Sequence, residues 1–431
     1  MTALEAPPAP AAAAYPLPPN RALWRITLHN RAYSVTTQAP QSTGIGELVS
    51  ARSRRLEQAY NSAAKLTFTL DGRAPEAALI SELRHDVIAW RWDDTVGRDR
   101  AIFRGPICQS EDQVTEQAHT VNFTAHDYLA LLARRYLTAP TPLVFSQIDQ
   151  DTIVGTLVNR ATNQAATGAG TALTPGAYLP LTANAYNPDG TSRPAPSGQL
   201  RDRSYLGNQE IGQAIDDLAH VINGFDYDCW PQQGSGQYTG NDMLRLFYPA
   251  QGVTRQDHAL VYGSNVSGVT RTVDSAAYAN YVRVLGNNNN SDQTAPQLYS
   301  DAWNSDAITG TAGAIGTWML AEAAADVSIQ STLDQKAQGD LAYYATLIPS
   351  YTLTLRPGWY RYGTPNMGDT VTLVVRSGRL NVATQVRVLG LVYDIGDDGQ
   401  EDVSLTVGRS PLTLADILAG ARADINALSR R

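Results

Sequence analysis

Residues 65–72 read KLTFTLDG, and this short stretch contains the pattern that decides the fold. Leu66, Phe68 and Leu70 alternate with lysine and threonine, so the apolar side chains fall on one face of an extended segment. Asp71 and Gly72 follow, and both residue types favour a turn. The stretch therefore predicts a half-buried β-strand that ends in a turn.

Segments with the same period of two recur on both sides of this strand. They lie early in the chain at 24–28, 87–92, 101–105 and 120–124, and late in the chain at 351–355, 369–375, 386–395 and 403–407. Between the two groups, residues 225–229 and 244–248 predict a β-hairpin. A β-rich segment thus opens the chain and another closes it.

Helical periodicity is confined to a few places. It predicts helices at about 75–84, 126–137, 210–223 and 321–347. Thr124, with Asp127 three residues later, is expected to cap the second of these helices. The polar stretches 163–209 and 286–317 lack a sustained period and are expected to form long loops. The fold class predicted from these patterns is α+β, and β-rich.

Composition excludes several classes of function. The 431 residues include 33 basic and 41 acidic side chains, a net charge of 33 − 41 = −8, which argues against a nucleic-acid binder. No run approaches the roughly 18 apolar residues of a membrane-spanning helix, and the N-terminus lacks the basic start of a signal peptide. Residues 1–20, rich in proline and alanine, are expected to form a flexible arm.

No catalytic or metal-binding motif is present in the sequence. We find no HExxH, GxxxxGK[ST], GxSxG or paired CxxC pattern, and the six histidines never have ligand spacing. The acidic stretch 394–402 fails the EF-hand spacing and is interpreted as a turn rather than a calcium site. Cys108 and Cys229 are interpreted as buried thiols, with a disulfide as the alternative. We therefore expect neither an enzyme nor a cofactor.

A series of short signatures, in this order and spacing, resembles the tail hub proteins of long-tailed bacteriophages of actinobacteria, often called minor tail proteins. The resemblance covers roughly 21–409. The signatures are Phe103-Arg104-Gly105, residues 121–129 with Arg134-Arg135, residues 222–227, Phe247-Tyr248-Pro249 with Gly252, residues 262–266, residues 279–286 and residues 367–371.

The resemblance implies a subunit with two tube-like β-barrel domains, and a homotrimer whose six barrels form a ring that continues the tail tube. The implied domains are a flexible arm (1–20), a first barrel (21–137), a helical and loop region (138–235), a second barrel (236–289 and 346–409), a loop and helix insertion (290–345) and a C-terminal helix (410–431).

The same resemblance implies a place and partners for the protein. It would lie at the tail tip of the virion, assembled in the host cytoplasm, and would contact the distal tail protein, the tape measure protein and other tip proteins. DNA would pass through the ring during genome ejection without specific binding, which an acidic or neutral lining favours. The family supplies no catalytic residues.

The C-terminus carries the candidate interface. Thr413 can cap a helix with Asp416 three residues later, and an apolar stripe follows on one helical face. The stripe consists of Leu414, Ile417, Leu418, Ala421, Ile425 and Leu428. A helix of roughly 17 residues is marginal alone in water, so it must pack against another surface. That surface could belong to its own subunit, to an adjacent subunit or to another tip protein.

Two other functions remain open from the sequence alone. One is a cell-wall-degrading tip enzyme, a glycosidase or peptidase, because carboxylates are abundant although no pair is indicated. The other is a tail protein that binds a glycan receptor through aromatic residues in a loop around 178–205. The enzyme needs an acid pair in a cleft, and the receptor-binding protein needs exposed aromatic rings on loops.

Overall fold

The structure is a computed structural model. It describes residues 15–19, 21–34, 39–137, 142–162, 179–205, 207, 209–219, 223–233, 238–273, 275, 278–286, 297–310, 313–323, 330–345, 347 and 349–408. Within these residues β-strands predominate over helices, which confirms the predicted β-rich α+β class. None of the described helices is long and apolar enough to cross a membrane.

Within its described residues, the first half of the chain contains the strands of the opening β segment and four helices. Its elements are β1 (Trp24–Ser34), β2 (Ala39–Glu47), β3 (Arg52–Ala59), β4 (Lys65–Asp71), α1 (Pro75–Leu79), β5 (His85–Asp93), β6 (Arg98–Val114), β7 (His119–His126), α2 (Tyr128–Leu132), β8 (Leu143–Asp149), α3 (Gln150–Thr162), β9 (Leu181–Tyr186), β10 (Leu200–Tyr205) and α4 (Ile211–Ala219).

The second half returns to strands. Its elements are β11 (Asp226–Gln233), β12 (Tyr238–Phe247), β13 (Thr254–Val261), β14 (Val266–Thr272), β15 (Tyr281–Leu285), β16 (Tyr299–Trp303), α5 (Ser305–Thr309), β17 (Met319–Ala323), α6 (Gln330–Tyr344), β18 (Ser350–Leu355), β19 (Thr370–Ser377), β20 (Leu380–Ile395) and β21 (Glu401–Gly408).

The opening and closing β segments form one 13-stranded sheet. Its order is β14-β18-β21-β20-β3-β4-β7-β6-β5-β1-β2, and β13 joins it through β19, which pairs with β20. Two long strands pass from one neighbour to another. The first part of β6 pairs with β5 and the rest with β7, and β20 pairs first with β19 and then with β3. The path of described strands is open between β14 and β2, so closure into two barrels stays a prediction.

The alternating segment at residues 65–71 forms strand β4. Leu66, Phe68 and Leu70 are buried, and the Phe68 ring stacks on Phe123 of β7 with centroids 5.2 Å apart. A second core packs α2, α3 and α4 against the hairpin β11–β12, which confirms the predicted hairpin. The core of the opening β segment is therefore built by the period-two pattern itself.

The contacts divide the chain into two compact units. Unit 1 comprises residues 1–269 and 352–407, and unit 2 comprises residues 270–351 and 408–431. Unit 2 contains a three-stranded sheet of order β16-β15-β17, with α5 and α6. It begins at residue 270, earlier than the start of the predicted insertion at 290. The division into two barrel domains is not tested by these units and stays a prediction.

Several local predictions are wrong. The predicted helix 321–347 begins in strand β17, because residues 319–323 pair in parallel with β15, and α6 starts only at Gln330. The helix predicted at 126–137 is the shorter α2, and its cap is Asp127 rather than Thr124. The loops predicted at 163–209 and 286–317 contain β9, β10, β16 and α5. For β17, β9, β10 and β16, pairing with other strands decides the local structure.

Candidate functional site

Buried ion pairs that link distant parts of unit 1 are the candidate functional site, here called the buried ion-pair network. Its first centre is Arg104 on β6, whose side chain is 1% exposed. The guanidinium contacts Asp86 of β5 at 2.9 Å and Asp242 of β12 at 3.4 Å. The Tyr128 hydroxyl, at the start of α2, donates to Oδ2 of Asp86 at 2.6 Å. This centre ties the opening β segment to the hairpin β11–β12 and to α2.

Asp127 lies beside the first centre and fixes the start of α2. Its carboxyl accepts hydrogen bonds from the backbone N–H of Ala64 at 2.8 Å and of Leu129 at 3.0 Å. Burial raises the pKa of Asp127 to about 8, although both hydrogen bonds favour the charged form. Burial also raises the pKa of Asp242 to about 8, against the opposing effect of Arg104. Burial therefore favours the neutral forms of Asp127 and Asp242, and for Asp242 this effect is larger than the opposing effect of the Arg104 charge.

The second centre joins the closing β segment to the hairpin. Arg387 of β20 contacts Asp226 of β11 at 2.5 Å and donates to the carbonyl oxygen of Gln251 at 2.8 Å. The Tyr60 hydroxyl, just after β3, also donates to Asp226. Burial, followed by the nearby Asp226 charge, raises the pKa of Tyr60. The backbone N–H of Gln251 also donates to Asp226 at 2.6 Å, so residues from three other stretches of sequence contact this carboxylate.

The third centre links the opening β segment directly to the closing β segment. Glu401 of β21 accepts hydrogen bonds from Nε of Arg91 at 2.9 Å and from Nε1 of Trp24 at 2.7 Å. The Arg91 guanidinium also lies over the Tyr360 ring, 5.6 Å from its centroid. Tyr360 and Tyr393 share a hydrogen bond of 2.9 Å between their hydroxyls. The opening strand β1 and the closing strand β21 are thus held by one buried carboxylate.

The buried ion-pair network includes residues from the signatures that resemble those of tail hub proteins. Arg104, Asp127 and Asp226 each lie within one of these signatures. The residue after Arg104 has to be a glycine, because a Cβ at position 105 would lie 1.8 Å from the carbonyl oxygen of His126. The sequence therefore marked these residues, but pattern alone did not show that they are buried ion-pair partners.

The described residues contain no candidate metal centre. Within the described ranges, no group of three or more His, Cys, Asp or Glu side chains could hold a metal ion. Both cysteines are free thiols, and burial raises the pKa of Cys229 well above its ordinary value. The His29 ring shares a 2.8 Å hydrogen bond with Thr27, whose hydroxyl also accepts from Trp90. These contacts are those of structural side chains.

Other predicted sites have different outcomes. In the acidic stretch 394–402, Gly399 has a φ of 80°, as expected for the turn between β20 and β21. In the loop proposed to bind glycans, Tyr205 is buried against Phe145 and Tyr186 packs near Phe247. These two rings are occupied by protein contacts. The predicted interface residues Leu414, Ile417, Leu418, Ile425 and Leu428 lie outside the described residues.

Comparison with known proteins supports the tail protein reading. Residues 254–418 match the family described as prophage endopeptidase tail. None of the curated protein sequences matches the chain. The 43 kDa tail protein of prophage MuSo2 from Shewanella oneidensis superposes with a TM-score of 0.55 at 12% identity, over 89% of this chain and 98% of that one. The tail protein from Neisseria meningitidis MC58 gives a TM-score of 0.50 at 10% identity, over 91% and 98%.

The class of protein follows from these findings. The chain has the fold of phage tail proteins over nearly all of its length. The family match in its C-terminal part confirms the resemblance to phage tail hub proteins that the signatures indicated.

Proposed function

We propose that the chain is a structural hub subunit of a phage tail tip, which joins the tail tube to the distal tip proteins. The buried ion-pair network carries this proposal. It ties the opening β segment to the hairpin β11–β12 through Arg104 and the closing β segment to the same hairpin through Arg387. Glu401 joins the opening and closing segments directly. A subunit that bears load between tube and tip requires such a rigid body, and the tail protein fold agrees with it.

The proposed assembly is a homotrimer that forms a ring around the tail axis. Each subunit would supply two tube-like β-barrel domains, at 21–137 and at 236–289 with 346–409. The long strands β6 and β20, which both pass from one neighbour to another, are the corresponding elements of the two barrels in this proposal. Closed symmetry would let one interface be repeated without leaving exposed strand edges.

The proposed ring has defined neighbours and a passage. DNA would cross its lumen during ejection without specific binding, and the net charge of −8 supports this because an acidic surface repels phosphate. The partners would be the distal tail protein, the tape measure protein and other tip proteins. The protein would reside in the virion at the tail tip after assembly in the host cytoplasm.

Imaging of intact particles, together with cross-linking, tests this assembly. Antibody or tag labelling of the chain should give three copies around the tail axis at the tip. A single copy, six copies or a position on the side of the tail would contradict the proposal. Purified protein is a weaker test, because ring closure can require the neighbouring tip proteins.

We also propose that the chain has no hydrolase activity of its own. The description of the matching family includes the word endopeptidase, so peptide cleavage is the activity to test. The ionisable groups of the buried ion-pair network are too enclosed to reach a polymer. Purified protein should leave peptidoglycan and peptide substrates intact. Turnover that is abolished by replacing one particular Asp or Glu would show instead a tip enzyme.

A further inference from the structure

The three-stranded sheet of unit 2 has one face covered by α6. Val282 and Val284 of β15 are fully buried, and they pack in one cluster with Leu333 and Ala337 of α6. Polar contacts close the rim of this face, since the Ser300 hydroxyl donates to Asp334 at 2.6 Å. This face of the sheet therefore has its partner.

The opposite face has no such cover within the described residues. Alternation along each strand and the strand register place nine side chains on it. Three of them are large and more than half exposed: Trp303 at 57%, Met319 at 57% and Tyr299 at 51%. We call this surface the open face; it consists of Tyr281, Arg283, Leu285, Tyr299, Asp301, Trp303, Met319, Ala321 and Ala323.

The open face has a ridge and a trough. The ridge lies over β15 and β16, where the rings of Tyr281 and Trp303 stack with centroids 6.1 Å apart. The trough lies along β17, where Ala321 and Ala323 present only methyl groups. Because β17 is the edge strand of this sheet, the small residues leave a shallow apolar surface beside the ridge, parallel to the strands. Such a surface accepts the apolar side of a helix.

The charges of the open face are already paired. Nε and Nη2 of Arg283 each donate to an Asp301 oxygen at 2.7 Å, and the guanidinium lies 4.9 Å from the centroid of the Tyr299 ring. A glycan would need polar groups directed at its hydroxyls and an accessible flat ring. Here Arg283 and Asp301 are hydrogen-bonded to each other, and the Arg283 guanidinium covers the Tyr299 ring. An apolar protein segment fits this surface better than a sugar.

The dimensions of the open face match one segment of this chain. Strands of five residues are about 17 Å long, and α6, with fifteen residues, covers the other face with a length of about 22 Å. The apolar stripe from Leu414 to Leu428 would span about 21 Å as a helix. It follows directly on β21, and its six apolar side chains need a surface.

We propose that residues 413–431 form an amphipathic helix that covers the open face of unit 2 in the same chain. The sheet would then lie between two helices of similar length, α6 and the C-terminal helix. Attachment to the same polypeptide gives the segment a high effective concentration, so the chain's own helix outcompetes a free partner. This proposal stands apart from the ring assembly and holds for the isolated subunit.

Cross-linking between paired cysteines tests the contact. In the full chain with Cys108→Ser, Ala321→Cys places a thiol at the centre of the trough. Ala421→Cys places the second thiol at the centre of the stripe, and Ala423→Cys places it on the opposite side of the helix as the matched control. A short bismaleimide should link 321 to 421 within one chain several-fold more than 321 to 423. Equal yields, or links only between chains, would overturn the proposal.

Hydrogen exchange gives an independent readout on the full chain. Ile417→Asp with Ile425→Asp should raise amide exchange several-fold in β15, β16 and β17, while Ala423→Asp should leave it unchanged. Strands β4 and β7 of unit 1 report whether the rest of the protein stays folded. Unchanged exchange in unit 2, or loss of protection that extends to β4 and β7, would show that the segment packs elsewhere.

Discussion

Unit 1 and unit 2 each contain an arginine–aspartate pair of similar geometry in opposite surroundings. Arg104 lies 2.9 Å from Asp86 and both side chains are almost fully buried. Arg283 lies 2.7 Å from Asp301, but its side chain is 39% exposed. Water and salt screen the second pair, whereas breaking the first leaves an uncompensated charge in the interior. An arginine–aspartate pair therefore contributes to the stability of the interior in unit 1, whereas the same pair contributes little at the surface of unit 2.

Replacement of Arg104 should have the largest effect. Arg104→Met keeps much of the volume but leaves Asp86 and Asp242 without their cation, so the free energy of unfolding of unit 1 should fall by about 3–5 kcal/mol. Urea denaturation with hydrogen exchange of β5 and β6 measures this loss. A loss below about 1 kcal/mol, the value of a surface pair, would remove the distinction between the two units.

A methyl group at Gly105 tests the close packing around Arg104. The new Cβ would lie 1.8 Å from the His126 carbonyl oxygen, so β6 and β7 must shift. Gly105→Ala should cost unit 1 about 1–3 kcal/mol in urea denaturation. Gly339→Ala on α6 of unit 2 is the matched control, because nothing lies within 4 Å of its Cβ. It should stabilise unit 2 by about 0.5–1 kcal/mol, and destabilisation there would contradict the comparison.

The two units should also respond to pH with opposite signs. The pKa of Asp127 is about 8 in the folded protein and ordinarily 3.8, so the folded state keeps a proton that the unfolded chain releases. The free energy of unfolding of unit 1 should therefore fall as pH rises from about 4 to about 8. Asp127→Asn should flatten this slope in urea titrations at a series of pH values, and an unchanged slope would locate the proton elsewhere.

Asp301 of unit 2 supplies the opposite case. The hydrogen bonds from Arg283 lower the pKa of Asp301, so its stabilising contribution is present at neutral pH and is lost as pH falls through the lowered value. The protection factors of the β15 and β16 amides, which are corrected for the intrinsic pH dependence of exchange, should thus fall at acid pH. Asp301→Asn should remove this part of the pH dependence.

The smallest effect is expected at Arg283. Arg283→Met removes an exposed pair and leaves Asp301 able to contact water, so the denaturation midpoint of unit 2 should stay within error of the wild type. Arg104→Met, measured in the same experiment, is its matched counterpart. A loss at Arg283 as large as that at Arg104 would remove the distinction between the two ion pairs.

Local sequence pattern predicted the strands well and the helices less well. The alternation of Leu66, Phe68 and Leu70 gave β4, and the positions of β5 to β7 and of β18 to β21 follow their period-two segments. Helix α3 was missed, although Ile153, Val154 and Leu157 have helical spacing and are buried in the structure. Residues 321–323 were assigned to the start of a helix, a structure that alanine favours, and parallel pairing with β15 overrode that preference.

The candidate site was only partly accessible from the sequence. Arg104, Asp127 and Asp226 belong to the signatures shared with tail hub proteins. Their burial was not expected, because charged side chains are usually solvent-exposed. Their partners Asp86, Asp242 and Gln251 carried no signal. The open face of unit 2 was also missed, because Tyr281, Trp303 and Met319 come from three strands that the predicted loop and helix did not bring together.

The sequence by itself determined the β-rich class, the turns and the amphipathic segments, because these depend on the spacing of apolar residues along a few turns or strands of chain. It also indicated the resemblance to tail hub proteins through the order of short signatures. Only the tertiary structure decided which strands pair across 300 residues, which charges are buried together and which sheet face the described helices leave uncovered. Those features depend on contacts between residues that are distant in sequence, and their energies arise from burial that no local pattern records.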